Sequence, residues 1–123
     1  MIGIERLVHD LREQGYEHVQ TLSDGQGIAY AVLPNFEIPA GSFVGRVIDL
    51  AIPAPADYPR VLHSSIQLRA TPHLVPFGNT GTRNVINSPL GPDWQYWSYQ
   101  FINRPANPTG ELMTQINAVF RKN

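Results

Sequence analysis

Cysteine is absent from all 123 residues, which excludes disulfides, thiolate metal sites, redox motifs and a cysteine nucleophile. Lysine is almost absent: Lys122 stands against eight arginines. Nine basic and ten acidic residues leave a formal net charge of -1, too little imbalance for a broad basic footprint on nucleic acid or anionic lipid. No apolar run approaches the roughly 18 residues of a membrane span. Met1-Ile2-Gly3-Ile4 leads straight into Glu5-Arg6, without the apolar stretch and small-residue cleavage site of a signal peptide. Proline is missing from the first 33 residues and the last 15, and all eleven prolines fall between Pro34 and Pro108. The expectation from these absences is a cytoplasmic protein with neither a nucleic-acid nor a membrane partner. At this length one domain buries roughly two thirds of the surface that its unfolded chain exposes, so a single core over residues 1–123 is expected.

Hydrophobic periodicity supplies the elements. Ile4, Leu7, Val8 and Leu11 recur at helical spacing among Glu5, Arg6, Asp10, Arg12 and Glu13, and Gly15 is placed to end that helix. Strand-like runs follow at Tyr16 to Leu22 and Ile28 to Leu33, joined by a polar link containing the turn dipeptide Asp24-Gly25. A third strand is expected from Phe43 to Ile52. A fourth runs from Ser64 to Ala70, where Ser64, Ile66, Leu68 and Ala70 alternate with Ser65, Gln67 and Arg69. From Thr71 to Pro108, prolines, glycines and asparagines argue against a sustained strand or long helix. The aromatic block Trp94-Gln95-Tyr96-Trp97-Ser98-Tyr99-Gln100-Phe101 interrupts that segment. Trp94, Trp97 and Phe101 fit one helical face, while Trp94, Tyr96 and Ser98 fit a strand. Leu112, Met113, Ile116, Val119 and Phe120 mark a final helix, with Thr109 as its expected N-cap. The fold class expected is α+β: an N-terminal helix, a four-stranded antiparallel meander, a long irregular segment and a C-terminal helix.

The linker between the third and fourth strands reads Ile52-Pro53-Ala54-Pro55-Ala56-Asp57-Tyr58-Pro59-Arg60. A Tyr-Pro turn at this point of a helix–meander–helix order resembles the ubiquitin-conjugating enzyme (UBC-like) superfamily along essentially the whole chain. Ile38-Pro39-Ala40-Gly41, Tyr58-Pro59 and Trp94-Gln95-Tyr96-Trp97-Ser98 resemble a bacterial branch that reads leucine-Pro-x-Gly, then Tyr-Pro, then a Trp-Gln-x-x-Ser block. The chain departs after Ser98, where that branch often carries Arg-His and this one has Tyr99-Gln100. It also lacks the His-Pro-Asn tripeptide and the cysteine that holds ubiquitin as a thioester; Pro72-His73-Leu74 stands nearest to the tripeptide. Thioester transfer needs a thiolate and is therefore unavailable.

The resemblance implies a non-catalytic adaptor or cofactor, a pseudoenzyme of a bacterial ubiquitin-like modification system of the kind associated with conjugation or antiviral defence. Its implied partners are a ubiquitin-like protein, a ThiF-type activating enzyme and a JAB-type metalloprotease, with no cofactor. The alternative is a transferase that carries the ubiquitin-like tail as an oxyester on Ser88 or Ser98, with His73 as base, or passes it directly to an amine. Against it, Ser88 reads equally as a turn cap before Pro89, and Ser98 as a hydrogen-bonding residue of an aromatic lid. Tyr58 and Pro59 read as a structural turn or as the wall of a partner surface, which cysteine-free members of the superfamily use for proline-rich peptides. Trp94, Trp97 and Phe101 are expected to be structural, and Tyr96 and Tyr99 to face a partner. His63 and His73 lie near Asp57 without the spacing of a metal site. Gly78-Asn79-Thr80-Gly81-Thr82-Arg83 lacks the Gly-Lys-Ser/Thr ending of a phosphate loop and reads as a surface loop.

Overall fold

A computed structural model describes residues 1–79 and 84–123. Helix α1 (Gly3–Glu13) precedes strands β1 (Gln20–Ser23), β2 (Ala29–Glu37), β3 (Val47–Ala54), β4 (Ser65–Arg69), β5 (Gly78–Asn79), β6 (Asn84–Ser88) and β7 (Gly91–Ser98), and helix α2 (Pro108–Arg121) follows. The architecture is α+β, one antiparallel sheet with a helix at each end of the chain. Among the described residues the strand order is β1-β2-β3-β4-β7-β6-β5.

The sheet does not stop at four strands, as the sequence led us to expect. The segment read as irregular supplies β5, β6 and β7, and β7 pairs with both β4 and β6. Its prolines are accommodated where the ladder is interrupted. The register against β6 jumps from Asn87↔Gln95 to Ser88↔Gly91, so Pro92 faces no β6 partner. Pro34 likewise lies in the irregularity between Leu33 and Phe36 on β2, beside Asn35 in left-handed conformation (φ 53°). The surface loop expected at Gly78–Arg83 divides: Gly78 and Asn79 pair as β5, and residues 80–83 lie outside the described residues.

The aromatic block is a strand in its first part, which corrects the helical alternative. Trp97 pairs with Ile66 and Trp94 with Arg69, three positions apart, so the two tryptophans project to opposite faces. Trp97 enters the main core with Ile66, Leu68 and both helices; Trp94 joins Tyr30, Val32 and Ala51 on the other face. No helical residue belongs to that second cluster, so the two helices cover one face of the sheet and leave the other open.

Local chemistry accounts for the junctions. The Asp24 carboxylate accepts the backbone N–H of Gln26 at 2.7 Å and of Ile28 at 3.1 Å, closing the turn into β2. Gly41 holds φ +88°, and a Cβ there would collide with the Phe120 carbonyl, so glycine alone lets this loop meet the last turn of α2. Helix α2 starts at Pro108, a residue whose missing N–H costs a helix start nothing. Asn107 is the N-cap residue in place of the expected Thr109, and its side chain makes no capping bond. The Thr109 hydroxyl is engaged with Tyr58 and Asp10 instead.

Candidate partner-binding cleft

Between β3 and β4 the chain turns through Pro55 to Arg60, with Tyr58 N–H on the Pro55 carbonyl and Arg60 N–H on the Asp57 carbonyl, both at 2.9 Å. Tyr58 is fully buried and joins three elements. Its carbonyl accepts the Gly3 N–H at 2.8 Å, which fixes the first turn of α1. Its hydroxyl meets the Thr109 hydroxyl at the first turn of α2. Thr109 donates onward to the Asp10 carboxylate at 2.7 Å, and the Arg6 guanidinium reaches the same oxygen at 2.8 Å. The Tyr58 hydroxyl therefore donates to Thr109, completing a run from the turn through α2 to α1.

These contacts set the charges. Burial raises the Tyr58 phenol to about 12, outweighing the opposing Thr109 bond, so it stays a neutral donor. At Asp10 burial pushes upward, but hydrogen bonds from Thr109, Arg6 and His9 and the charge of Arg6 together hold it below its ordinary value. Of the pair read as a partner surface, Tyr58 is thus inside, and Pro59 is the member available to a partner.

Pro59 lines a cleft of about 510 Å³ with Ile2 just before α1, Arg6 on α1, Asp57 and Arg60 from the turn, Asn103 and Pro105 from the approach to α2, and Pro108 at its first position. Asn103 holds the wall together, donating to the carbonyls of Pro59 at 3.0 Å and Arg60 at 3.1 Å. The lining combines apolar prolines with two guanidiniums and one carboxylate, and Asp57 is tied to Arg60 at 2.6 Å. Ile2 is exposed within this lining, and the exposed Val61 and Ile102 adjoin Arg60 and Asn103 in the chain. A cleft of this size and lining suits a short peptide or loop with apolar and acidic groups.

The other residues singled out from sequence are dispersed. Tyr96 is half-buried on the open face, its ring edge-on to His63 at 6.2 Å. Tyr99 and Phe101 pack on each other at 5.3 Å against the main core. The serine–histidine arrangement is not assembled by hydrogen bonds. Ser88 is buried, donates to Gln67 Oε1 at 2.7 Å and accepts the Leu90 N–H at 3.1 Å. His73 stacks edge-on with Phe77 at 5.5 Å, and its buried Nδ1 has no hydrogen-bond partner among the described residues. Ser98 sits opposite Ser65 in the β4–β7 register.

A serine–histidine contact does occur elsewhere: Ser65 Oγ lies 2.9 Å from His63 Nδ1. At 1 % exposure Ser65 cannot meet an acyl group, so the pair is not a nucleophile and its base. Sequence reading missed Ser65, although its place on the polar side of the β4 alternation was visible. Among the described residues no group of three His, Asp or Glu side chains gathers as a metal site, and no helix is long and apolar enough to cross a membrane. No protein-family model, no curated protein and no solved structure matches this chain.

Proposed function

We propose that the protein is a non-catalytic, ubiquitin-conjugating-enzyme-like adaptor or cofactor of a bacterial ubiquitin-like modification system, and that it docks partners at the Pro59 cleft. The observation that carries this reading is the cleft itself, where α1, the Tyr-Pro turn and the approach to α2 converge. The missing cysteine and the α+β architecture with terminal helices add support. The transferase alternative gains nothing from the surroundings of Ser88, whose hydroxyl is committed to Gln67 and Leu90.

The test is to mix the full chain with a bacterial ubiquitin-like protein, a ThiF-type activating enzyme and ATP. The expected product is a non-covalent complex that survives gel filtration. Substituting Ile2→Asp together with Arg60→Glu, both exposed in the native chain, should weaken it at least about tenfold, or roughly 1.4 kcal/mol. A mass gain equal to the ubiquitin-like protein minus water, stable to thiols and released by hydroxide, would instead establish the oxyester transferase. Binding unchanged by the double substitution would remove the cleft from the proposal.

A further inference from the structure

The open face of the sheet carries a run of polar side chains in which the direction of each hydrogen bond can be assigned. A backbone N–H can only donate, so Leu90 gives its proton to Ser88 Oγ at 3.1 Å. Ser88 then donates to Gln67 Oε1 at 2.7 Å, and Gln67 Nε2 donates to Ser65 Oγ at 2.9 Å. Ser65 is left with one proton and one neighbour, His63 Nδ1 at 2.9 Å. Neutral His63 accordingly accepts at Nδ1 and carries its hydrogen on Nε2. Ser65 and Gln67 are 1 % and 0 % exposed, so water is not a ready substitute partner inside the run, while Ser88, at 8 %, is the end that keeps an edge to solvent.

We propose that this run is a reversible relay: protonating His63 inverts its polarity and delivers the change to Ser88 and Leu90, two strands away. Nδ1–H of the imidazolium must donate to Ser65 Oγ, because it can no longer accept. The Ser65 hydroxyl hydrogen then turns to Gln67, and the Gln67 amide flips so that Oε1 receives it. Gln67 Nε2–H now points at Ser88 Oγ, which already accepts from Leu90. The Ser88 hydroxyl hydrogen loses its acceptor and turns outward toward solvent or a bound partner. One proton enters from water, one N–H bond forms at Nδ1, and every other change is a rotation. The neutral form gives both serine hydroxyl hydrogens an acceptor within the run, while the protonated form leaves the Ser88 hydroxyl to be satisfied from outside. These are the two discrete states that a switch requires.

The groups facing His63 act in both directions. Asp24, in the β1–β2 turn, favours the cation through its charge, and is itself held by the Tyr30 hydroxyl at 2.6 Å. Tyr96 of β7 places its ring edge-on to the imidazole at 6.2 Å, and burial favours the neutral form. A partner carrying a carboxylate onto this face would bias the relay toward its protonated form, and an acceptor set beside Ser88 would do the same from the far end. The inference is independent of the Pro59 cleft.

The test is an NMR pH titration of the full-length protein that follows the His63 ring nitrogens, the Gln67 side-chain amide and the Leu90 backbone amide. All three are expected to change with one common midpoint. In Ser65→Ala the imidazole should still titrate, while Gln67 and Leu90 cease to follow it. Ser88→Ala is the second arm, since it places a methyl group where the far hydroxyl stood. It makes the two polarities equally unsatisfied, and the His63 midpoint should rise toward 6.5, the ordinary histidine value. Gln67 and Leu90 staying flat through the wild-type His63 midpoint would overturn the relay. An undiminished response in Ser65→Ala, or an unmoved His63 midpoint in Ser88→Ala, would overturn it equally.

Discussion

The two faces of the sheet solve the same problem by different means. On the covered face, alternate residues of four strands pack against two helices. Leu50, Ile66, Val85 and Trp97 meet Leu7, Leu11, Ile116 and Phe120 there, all at 0 % exposure. On the open face no helix arrives. Burial is achieved by the sheet's own side chains, Tyr30 and Trp94 over Val32 and Ala51, with Ile28 and Leu90 at the margin. Arg69 stacks its guanidinium 4.7 Å from the Trp94 ring while holding Asp49 at 2.8 Å. The open face also buries polar groups, Ser65, Gln67 and Ser88, which satisfy one another by hydrogen bonds. The covered face is stabilised mainly by excluded apolar area.

Removing one tryptophan from each face should separate the two mechanisms most widely. Trp97→Ala leaves a hole between the sheet and Phe120, whose ring centroid lies 6.0 Å away, in a core that two helices hold rigid. A loss of about 3–5 kcal/mol is expected from urea denaturation. Trp94→Ala should cost less, about 1–3 kcal/mol, because the surrounding side chains have no second layer and can settle into the space. Equal losses would mean that the open face is packed as tightly as the covered one, and the contrast would fail.

The next largest effect concerns the helix-covered side. Tyr58→Phe deletes the hydroxyl that meets Thr109 while keeping the ring, and Thr109→Val deletes the other half. Each should cost about 1–2 kcal/mol. The double variant should lose clearly less than the sum, since both remove one run ending at Asp10. Strict additivity would show that the turn and the two helices are not joined through this run.

The sequence was most legible where the periodicity is local. Leu7 and Leu11 on α1, and Leu112, Ile116 and Phe120 on α2, fall on faces that intrahelical spacing alone dictates. The alternation on β4 was equally readable, with Ile66 and Leu68 on one side and Ser65, Gln67 and Arg69 on the other. The prolines misled, because a proline forbids a ladder only where its N–H would be needed. Whether Pro34 and Pro92 occupy a bulge depends on the partner strand. Tyr58 and Pro59 could be read as a turn. That Tyr58 bonds Gly3 and Thr109 could not, because those partners lie 55 and 51 positions away. The polar run was hidden for the same reason: Gln67 and Ser88 become neighbours only through strand order.

The smallest predicted effect distinguishes the faces by pH. Burial holds the His63 imidazole below its ordinary value of 6.5, with the Asp24 charge opposing. A histidine whose folded value is depressed lends stability that is complete above the unfolded value and is lost as pH falls through the folded one. The open face should therefore lose stability on acidification below about 6.5. Asp10 on the covered side is a depressed carboxylate. Its contribution is present above its ordinary 3.8 and disappears only as pH falls through its lower folded value. Thermal melts from pH 7 to pH 2 should show two separate limbs. His63→Phe should flatten the upper limb and leave the lower one. Asp10→Asn should shrink the lower one and leave the upper one, since an amide can still accept from Thr109 but no longer titrates; the remainder of the lower limb belongs to Asp24, which the Tyr30 hydroxyl also holds below its ordinary value. An upper limb that survives His63→Phe would assign it to another group and remove the proton sensitivity of the open face.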